Sequence, residues 1–245
     1  KNPKLSSTAR SSISVSLEVD NEEAITGQTK LATTEEIRVR AMGAYSSQNR
    51  AVTKQDYMSL VYRMPSNFGS VKRANVVQDK KSIKRNLNLF VISEDSNGKL
   101  IESSSTVKNN LRSWLNKYKM INDTVDILDG RIANIGIQFE AIGSPEKNSN
   151  EVLMVCLNAL KSEYAGHFYF GQPFYISDIY RILNDLPEVL DVKKVNITSQ
   201  YGTNYSGTEY EAEANISVDG RFIKVPEDVI LEVKYPNTDI IGVVI

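Results

Sequence analysis

Residues 124–142 decide the fold class. They run Thr124-Val125-Asp126-Ile127-Leu128, then Asp129-Gly130, then Arg131 to Ile142. The first run contains Val125 and Ile127 and the second contains four Ile residues, and both residue types favour strands. Asp-Gly between two such runs is typical of a tight hairpin turn. The sequence therefore predicts two neighbouring strands joined by a hairpin at Asp129-Gly130.

Amphipathic helices flank this pair of strands. The segment Thr106 to Met120 has apolar residues at three- and four-residue spacing, which predicts a helix with one apolar face: Val107, Leu111, Trp114, Leu115 and Tyr118. Residues 149–164 predict a second helix, with an inward face of Val152, Val155, Cys156, Leu157 and Leu160.

The same alternation of helices and strands recurs in the second half of the chain. A helix follows Ser177 and ends near Pro187, and Asp219-Gly220 predicts another hairpin turn. Strands are predicted at 191–199, 210–218, 221–224 and 228–234. The predicted fold class is α+β, with two small modules, each an antiparallel or mixed sheet with helices packed on one face.

The first module also contains a helix with a clear start signal. Thr53 followed by Asp56 fits an N-cap with a carboxylate three residues later. The helix would place Tyr57, Leu60 and Val61 on one face and end before Pro65, because the residue before a proline disfavours helical geometry. Strands at 70–79 and 87–95 are predicted to flank a basic turn.

We expect three parts along the chain. Residues 1–42 are predicted to form an N-terminal arm or the edge of a truncated domain, 43–143 the first module, and 144–245 the second, joined at the turn-prone Gly143-Ser144-Pro145. Within the arm, Ile13 to Val19 alternates apolar and polar residues and predicts a strand, and 34–42 predicts a short helix. Because the sequence begins at Lys1 without Met, we expect a fragment of a longer chain.

Composition limits the classes of function. The chain has 245 residues and a formal net charge of -1, which does not suit a nucleic-acid partner. Zinc sites take about three or four protein ligands, and one Cys and one His cannot supply a Cys/His site. No run of about 18 apolar residues indicates a membrane span. We therefore predict no nucleic acid and no membrane among the partners.

No residue of the sequence stands in a recognisable catalytic, cofactor-binding or metal-binding motif. His167 has no neighbouring nucleophile motif, so a packed or surface imidazole is the favoured interpretation. Cys156 lies at an apolar helix position and is predicted to be a small core residue. Asp126, Asp129 and Glu140 lack calcium-loop spacing, and no phosphate-binding glycine motif occurs. The chain is accordingly predicted to be neither an enzyme nor a cofactor protein.

Two stretches are candidates for contact with partners. The basic stretch includes Lys72, Arg73, Lys80 and Lys81, and its interpretations are nucleic-acid contact, a solvated hairpin that protects a strand edge, or docking to an acidic partner. The loop 201–207 contains Tyr201 and Tyr205 among Gly, Ser and Asn, a composition typical of binding loops and also of disordered ones. The aromatic cluster at 168–175 favours core packing or an interface anchor.

Several motifs, in order, resemble the baseplate J-like family. Glu36 to Ala41 followed by Asn49 to Tyr57 resembles its Arg-Ala-Val-Thr element and the acidic helix start, and Met64 to Asn67 resembles the Pro-containing turn that follows. The second half adds Phe170 to Ile179 and Leu186 to Val192, although Glu188 stands where the family often has Gly. The similarity covers roughly residues 30–245, and residues 45–60 most resemble the wedge proteins of T-even-type phages.

The resemblance implies a structural subunit of a contractile phage tail baseplate, located in the virion. It implies contacts with copies of itself, as a dimer or ring, with other wedge proteins and with sheath-proximal subunits, and rearrangement when the sheath contracts. We expect the contact residues to include Arg50, Tyr57, Lys72, Arg73, Lys80, Lys81, Tyr201 and Tyr205. Arg50 and Tyr57 have the alternative role of capping and packing the first module. A receptor- or carbohydrate-binding module of a phage tail is the alternative function.

Overall fold

A computed structural model describes residues 50–79, 86–164, 166, 168–208 and 210–245, together with six positions between 34 and 45. Those six positions are helical and exposed, which confirms the predicted helix there: Thr34, Ile37, Arg38, Ala41, Met42 and Tyr45. The predicted strand at 13–19, the basic turn with Lys80 and Lys81, and His167 lie outside the described residues. The fold is α+β.

The first sheet contains β1 (Arg73–Gln78), β2 (Asn86–Glu94), β3 (Leu100–Ile101) and β4 (Thr124–Asp129). The long strand β2 pairs antiparallel with β1 and β3 and parallel with β4, so the sheet is mixed. Helices α1 (Lys54–Tyr62) and α2 (Ser105–Leu115) cover one face of it. Alternate residues of β2 point at these helices, and Leu89 and Val91 are fully buried there.

Helix α1 begins where the sequence predicts. The Thr53 hydroxyl accepts from the Asp56 amide at 3.2 Å, and the Asp56 carboxylate accepts from the Thr53 amide at 2.9 Å. This reciprocal capping box satisfies two amides that the helix itself cannot bond. A 3₁₀ turn, Ser66–Phe68, follows Pro65.

The second sheet is built on β5 (Arg131–Gly143), its longest strand. β7 (Val189–Gln200) pairs antiparallel along one edge of β5, and β9 (Val229–Glu232) and β10 (Ile240–Val244) pair parallel along the other. Helices α3 (Ser149–Glu163), α4 (Ile176–Asn184) and the short α5 (Pro236–Asp239) complete this part, with a small antiparallel pair, β6 (Phe174–Tyr175) and β8 (Phe222–Ile223).

The core of the second sheet lies under α3 and α4. Every second residue of β5, from Ala133 to Ala141, is buried on that side. Helix α3 contributes Val152, Cys156 and Leu160, which recur at four-residue intervals. The predicted Val155 and Leu157 are only half-buried, because they lie to the sides of this stripe.

The hairpin predicted at Asp129-Gly130 is wrong. β4 pairs with β2, whereas β5 pairs with strands of the second sheet, so the two strands flanking Gly130 belong to different sheets. The Gly130 amide donates to the Val91 carbonyl at 3.1 Å. The sheets therefore divide at Gly130 and not at residues 143–144. We call residues 50–129 the first unit and 131–245 the second unit.

The strand predicted at 210–218 is also wrong. That stretch contains a 3₁₀ turn, Glu213–Asn215, and an isolated bridge between Ile216 and Ile223. The turn predicted at Asp219-Gly220 is present, with Gly220 at φ +69° and its amide donating to the Ser217 carbonyl at 2.8 Å. The Ser217 hydroxyl accepts from the amides of Arg221 and Phe222. These local bonds take the place of the hydrogen bonds that a strand would form with a neighbouring strand.

The two units are joined by a small apolar cluster and by polar contacts. Ile92 and Leu100 of the first unit pack against Ile132 and Ile230 of the second, with Phe168 and Phe170 alongside. Glu232 is 3% exposed, and its carboxylate accepts from the Leu100 amide and from the Asn134 side chain, each at 2.9 Å. This carboxylate therefore bridges the first sheet and the second.

Candidate assembly surfaces

Part of the outer face of the second sheet is exposed in the described chain. We call this surface the open face, and it forms a shallow depression lined by Gln138, Glu140, Lys194, Asn196, Ile241 and Val243. Register aligns Ile241 with Gln138 and Val243 with Glu140, so the side chains of each pair point to the same side of the sheet. Ile241 and Val243 are both 55% exposed. The open face combines an apolar edge with polar and charged groups.

Another part of that outer face is covered by the loop after β7. The Ser206 amide donates to the Asn134 side-chain oxygen at 2.7 Å, and the Ser206 hydroxyl donates to the Ile132 carbonyl. The Tyr205 hydroxyl donates to a carboxylate oxygen of the buried Asp239 at 2.6 Å. These bonds hold the loop against the start of β5, at Ile132 and Asn134, and away from the later residues Gln138 and Glu140 that line the open face.

Charges on the open face are paired at the surface. Glu140 lies 3.5 Å from the ammonium of Lys193, and both side chains are substantially exposed. Exposed pairs of this kind contribute little to stability, about 0–1 kcal/mol. They nevertheless place both signs of charge beside the apolar residues, which is the composition of a protein-contact surface more than of a small-molecule pocket.

A second candidate surface is an aromatic groove near α4. We use that name for the depression lined by Glu163, Tyr164, Gly166, Phe168, Tyr169, Gln172, Pro173, Phe174, Tyr175 and Asp178. Phe174 is buried, whereas Tyr169 and Tyr175 are about half-exposed. Burial raises the pKa of Tyr164 well above its usual range, and the nearby Asp178 and Glu163 raise it further. The predicted aromatic cluster is therefore partly core and partly surface.

Three of the predicted contact residues, Tyr57, Lys72 and Arg73, make contacts within the chain. Tyr57 is 1% exposed and lies in the core of the first unit, which corrects its assignment to an interface. Lys72 forms an ion pair with Glu94 at 2.9 Å and is largely buried. Arg73 lies over the Tyr169 ring at 4.5 Å and donates to the Phe168 carbonyl at 3.4 Å. Both basic residues serve the described chain itself, Arg73 at the junction of the two units.

The two tyrosines of the loop at 201–207 have different surroundings: Tyr205 is anchored within the chain and Tyr201 is exposed. Tyr205 bonds Asp239 and packs edge-on against Tyr235 at 5.6 Å between ring centroids. The hydrogen bond to Asp239 raises the pKa of Tyr205 to about 12. Tyr201 is exposed, as is Arg50, so these two remain proposed contact residues. Lys80 and Lys81 lie outside the described residues.

The residues considered for chemistry have structural surroundings. Cys156 is fully buried on the inner face of α3, and burial raises the pKa of its thiol. Asp129 pairs with Lys108 at 2.8 Å and Asp126 accepts from Asn86 at 2.8 Å, whereas Glu140 lies on the other sheet. Among the described residues, no group of three or more His, Cys, Asp or Glu side chains is placed to hold a metal. None of the helices in the described ranges is long and apolar enough to cross a membrane.

Sequence reasoning missed three buried polar residues that shape these surfaces: Asn134, Glu232 and Asp239. One signal was present, because Glu232 and Asn134 interrupt otherwise apolar strands. A charged residue in such a strand is seldom buried without partners. Asp239 gives no comparable signal, because its bonds reach the Tyr235 amide locally and Tyr205 far away.

Solved structures include chains that are weakly similar to this one. No family model matches the sequence, and no curated protein matches it. A chain of the anti-feeding prophage (AFP) baseplate, solved by cryo-electron microscopy with six-fold symmetry, has a TM-score of 0.49 and 12% identity. The match covers 82% of the present chain and 41% of that chain, so the present chain spans about two-fifths of its length.

Proposed function

We propose that this chain is a structural subunit of the wedge of a contractile phage tail baseplate. In this role it contacts copies of itself and other wedge proteins in a ring. The proposal starts from the sequence motifs that resemble the baseplate J-like family, most closely its T-even-type wedge proteins. It assigns the chain no catalytic role and places it in the virion tail.

The open face is the observation that carries the proposal furthest. Ile241 and Val243 expose more than half of their side chains on one side of a sheet, beside Glu140, Lys193 and Lys194. An exposed apolar patch with a polar rim is characteristic of a protein-contact site. A ring subunit needs such a surface, whether its contacts are self-complementary or close by rotation.

The motif residues themselves act as scaffold. Thr53 and Asp56 cap α1, Tyr57 fills the first core, and Pro65 ends the segment after α1. In the second unit, Ser144 donates its amide to the Glu188 carbonyl at 2.9 Å, next to Pro187. Residues that define a fold and carry no chemistry support a structural role.

Any rearrangement during contraction is proposed to move the two units together. Residues 143–148, at the predicted boundary between the modules, lie inside the second unit, where Lys147 pairs with Glu188 at 3.0 Å. The boundary between the two sheets at Gly130 is crossed by the buried Glu232 carboxylate and by Asn75, which donates to the Glu227 carbonyl at 2.7 Å. These bonds favour motion at contacts with other subunits over motion within the chain.

The aromatic groove supports a second candidate function, a receptor- or carbohydrate-binding module. Its half-exposed Tyr169 and Tyr175 stand beside the carboxylates of Glu163 and Asp178. Flat aromatic faces next to hydrogen-bonding groups suit a polar ligand with apolar faces. Titration of glycans into the purified chain, with Tyr175→Ala as the comparison, would detect this activity independently of association.

Sedimentation equilibrium of the purified chain tests the first proposal. We expect concentration-dependent self-association that Ile241→Asp weakens at least tenfold, because a charge in an apolar contact must lose its hydration. Val218→Asp is the matched control, since Val218 is fully exposed in the turn before Gly220, away from the open face. A monomer at all concentrations, or equal loss in both variants, would count against contacts through the open face.

A further inference from the structure

The loop that follows β7 is attached to the second sheet at two neighbouring residues. We call residues 201–208 the strap. The Tyr205 hydroxyl donates to the Asp239 carboxylate at 2.6 Å, and the Ser206 amide donates to the Asn134 side-chain oxygen at 2.7 Å. Both acceptors are at most 3% exposed. The strap is therefore held by polar groups inside the protein and not only by contacts at the surface.

From Ser206 a continuous line of hydrogen bonds reaches the first unit. The nitrogen of the Asn134 side chain donates to one Glu232 carboxylate oxygen at 2.9 Å, and the other oxygen accepts from the Leu100 amide at 2.9 Å. Leu100 lies in β3 of the first sheet, whereas Asn134 and Glu232 are paired on neighbouring strands of the second. The strap and the first unit thus bond to opposite ends of one pair of buried side chains.

The Asn134 amide can serve this line of bonds in one orientation only. Its oxygen must face the Ser206 N–H and its nitrogen must face the Glu232 carboxylate, because a reversed amide would set donor against donor and acceptor against acceptor. A donor on the amide oxygen also polarises the amide and strengthens donation by its nitrogen. Loss of the Ser206 bond is therefore expected to weaken the hold of Asn134 on Glu232, and through it the bond to Leu100.

A second line of contacts starts at Tyr205 and reaches the adjacent residue of the first unit. The Tyr205 ring packs edge-on against Tyr235, with 5.6 Å between ring centroids, and Asp239 accepts from the Tyr235 amide at 2.7 Å. The Lys99 ammonium lies 3.5 Å from the centroid of the same Tyr235 ring, where cation–π attraction is favourable. Two consecutive residues of the strap thus lead to two consecutive residues of the first unit, Lys99 and Leu100.

We propose that the strap is a conformational latch that sets how tightly the two units hold each other. While Tyr205 and Ser206 stay bonded, both lines of contact are intact and the units move together. When the strap lifts, the first unit is loosened at Lys99 and Leu100. The tip of the strap, residues 201–204, is exposed, so the latch is within reach of other molecules. The latch does not depend on the proposed role in a baseplate.

Amide hydrogen exchange tests the latch from the side of the strap. Tyr205→Phe combined with Ser206→Ala removes two of the hydroxyl hydrogen bonds that hold the strap. We expect the Leu100 amide to accelerate about tenfold more than the Leu89 amide, which lies in the central strand of the first sheet. Leu89 reports unfolding of the whole unit, so the excess at Leu100 measures local opening of the junction.

The matched control changes the exposed tip of the strap. Tyr201→Phe combined with Thr203→Ala also removes two hydroxyl groups but leaves the bonded residues in place, and should keep Leu100 exchange within about twofold of the unmodified chain. If the variant of the bonded residues accelerates Leu100 and Leu89 equally, the bonds add only general stability. That result, or an unchanged rate at Leu100, would overturn the latch.

The junction side provides the reciprocal test, because coupling between two sites acts equally in both directions. Glu232→Gln leaves the sequence of the strap intact but disturbs the partner of Asn134. We expect the Ser206 amide to accelerate about fivefold more than the Leu89 amide, and Glu227→Gln, at an exposed position, to leave both rates unchanged. A Ser206 amide that keeps pace with Leu89 would show that the junction and the strap are independent, and would overturn the proposal.

Discussion

The hydroxyl of Tyr57 donates to a carboxylate oxygen of Asp123 at 2.8 Å, with both residues at most 2% exposed. This bond links α1 to the turn before β4, 66 positions further along the chain. The ring fills the core of the first unit while its polar end satisfies a buried carboxylate. A residue expected at an interface thus has an internal role in positioning α1 against the first sheet.

Replacing Tyr57 by Phe should destabilise the protein by about 1–3 kcal/mol, because the aromatic packing stays while Asp123 loses a buried donor. Urea unfolding followed by circular dichroism measures the change. Tyr201→Phe is the matched control, since Tyr201 is exposed, and should change stability by less than about 0.5 kcal/mol. Equal stability of both variants would show that the bond is dispensable.

Local signals predicted much of the fold. The capping box of Thr53 and Asp56 spans only four residues, so the sequence reveals it directly. The spacing of the apolar residues also correctly placed Tyr57, Leu60 and Val61 on the buried face of α1. The stripes of α2 and α3 repeat at helical spacing and were readable for the same reason. The expected role of Tyr57 in assembly came from family resemblance, which does not specify where a side chain points.

Local sequence patterns do not show which strands pair when they are far apart in the chain. Asp129-Gly130 carries a hairpin signal, but β4 finds its partner in β2, about 40 residues earlier, and β5 pairs with strands that follow it by 46 residues or more. The same limit concealed Glu232, whose partner is the amide of Leu100. The aromatic groove could be anticipated, because its aromatic residues lie close together in the sequence. The open face could not, because it depends on where the loop at 201–208 packs against β5.

Gly130 has little room for a side chain at the junction of the two units. A Cβ atom there would lie 2.4 Å from the Phe170 ring and 3.0 Å from Ile92. Gly130→Ala should therefore destabilise the protein by about 1–3 kcal/mol, through displaced packing in the shared cluster. Gly207→Ala is the control, because nothing lies within 4 Å of its added methyl group. Thermal unfolding that lowers both midpoints equally would contradict this crowding.

Glu232 is expected to hold the two units together through its two accepted bonds. Glu232→Gln keeps the size of the side chain but leaves one carbonyl oxygen for two donors, the Leu100 amide and the Asn134 side chain. We expect a loss of about 1–3 kcal/mol and faster exchange of the Leu100 amide. Glu227→Gln, at an exposed position, should change neither quantity. Slow exchange at Leu100 in both variants would mean that the carboxylate is not what protects this amide.

Tyr205 gives the anchored loop a dependence on alkaline pH. Its hydrogen bond to Asp239 raises its pKa from 10.0 to about 12, since the ionised phenol would lose the donated proton and face a carboxylate. A folded pKa above the unfolded one means that the protonated form stabilises the fold. That contribution is complete below pH 10 and is lost as the pH rises through about 12. The stability difference between the unmodified chain and Tyr205→Phe, measured by urea unfolding from pH 8 to about 11.5, should therefore shrink above pH 10. Tyr201→Phe, at an exposed position, provides the control for alkaline effects elsewhere in the chain. A stability difference that stays constant across this range would show that folding does not raise the pKa of Tyr205.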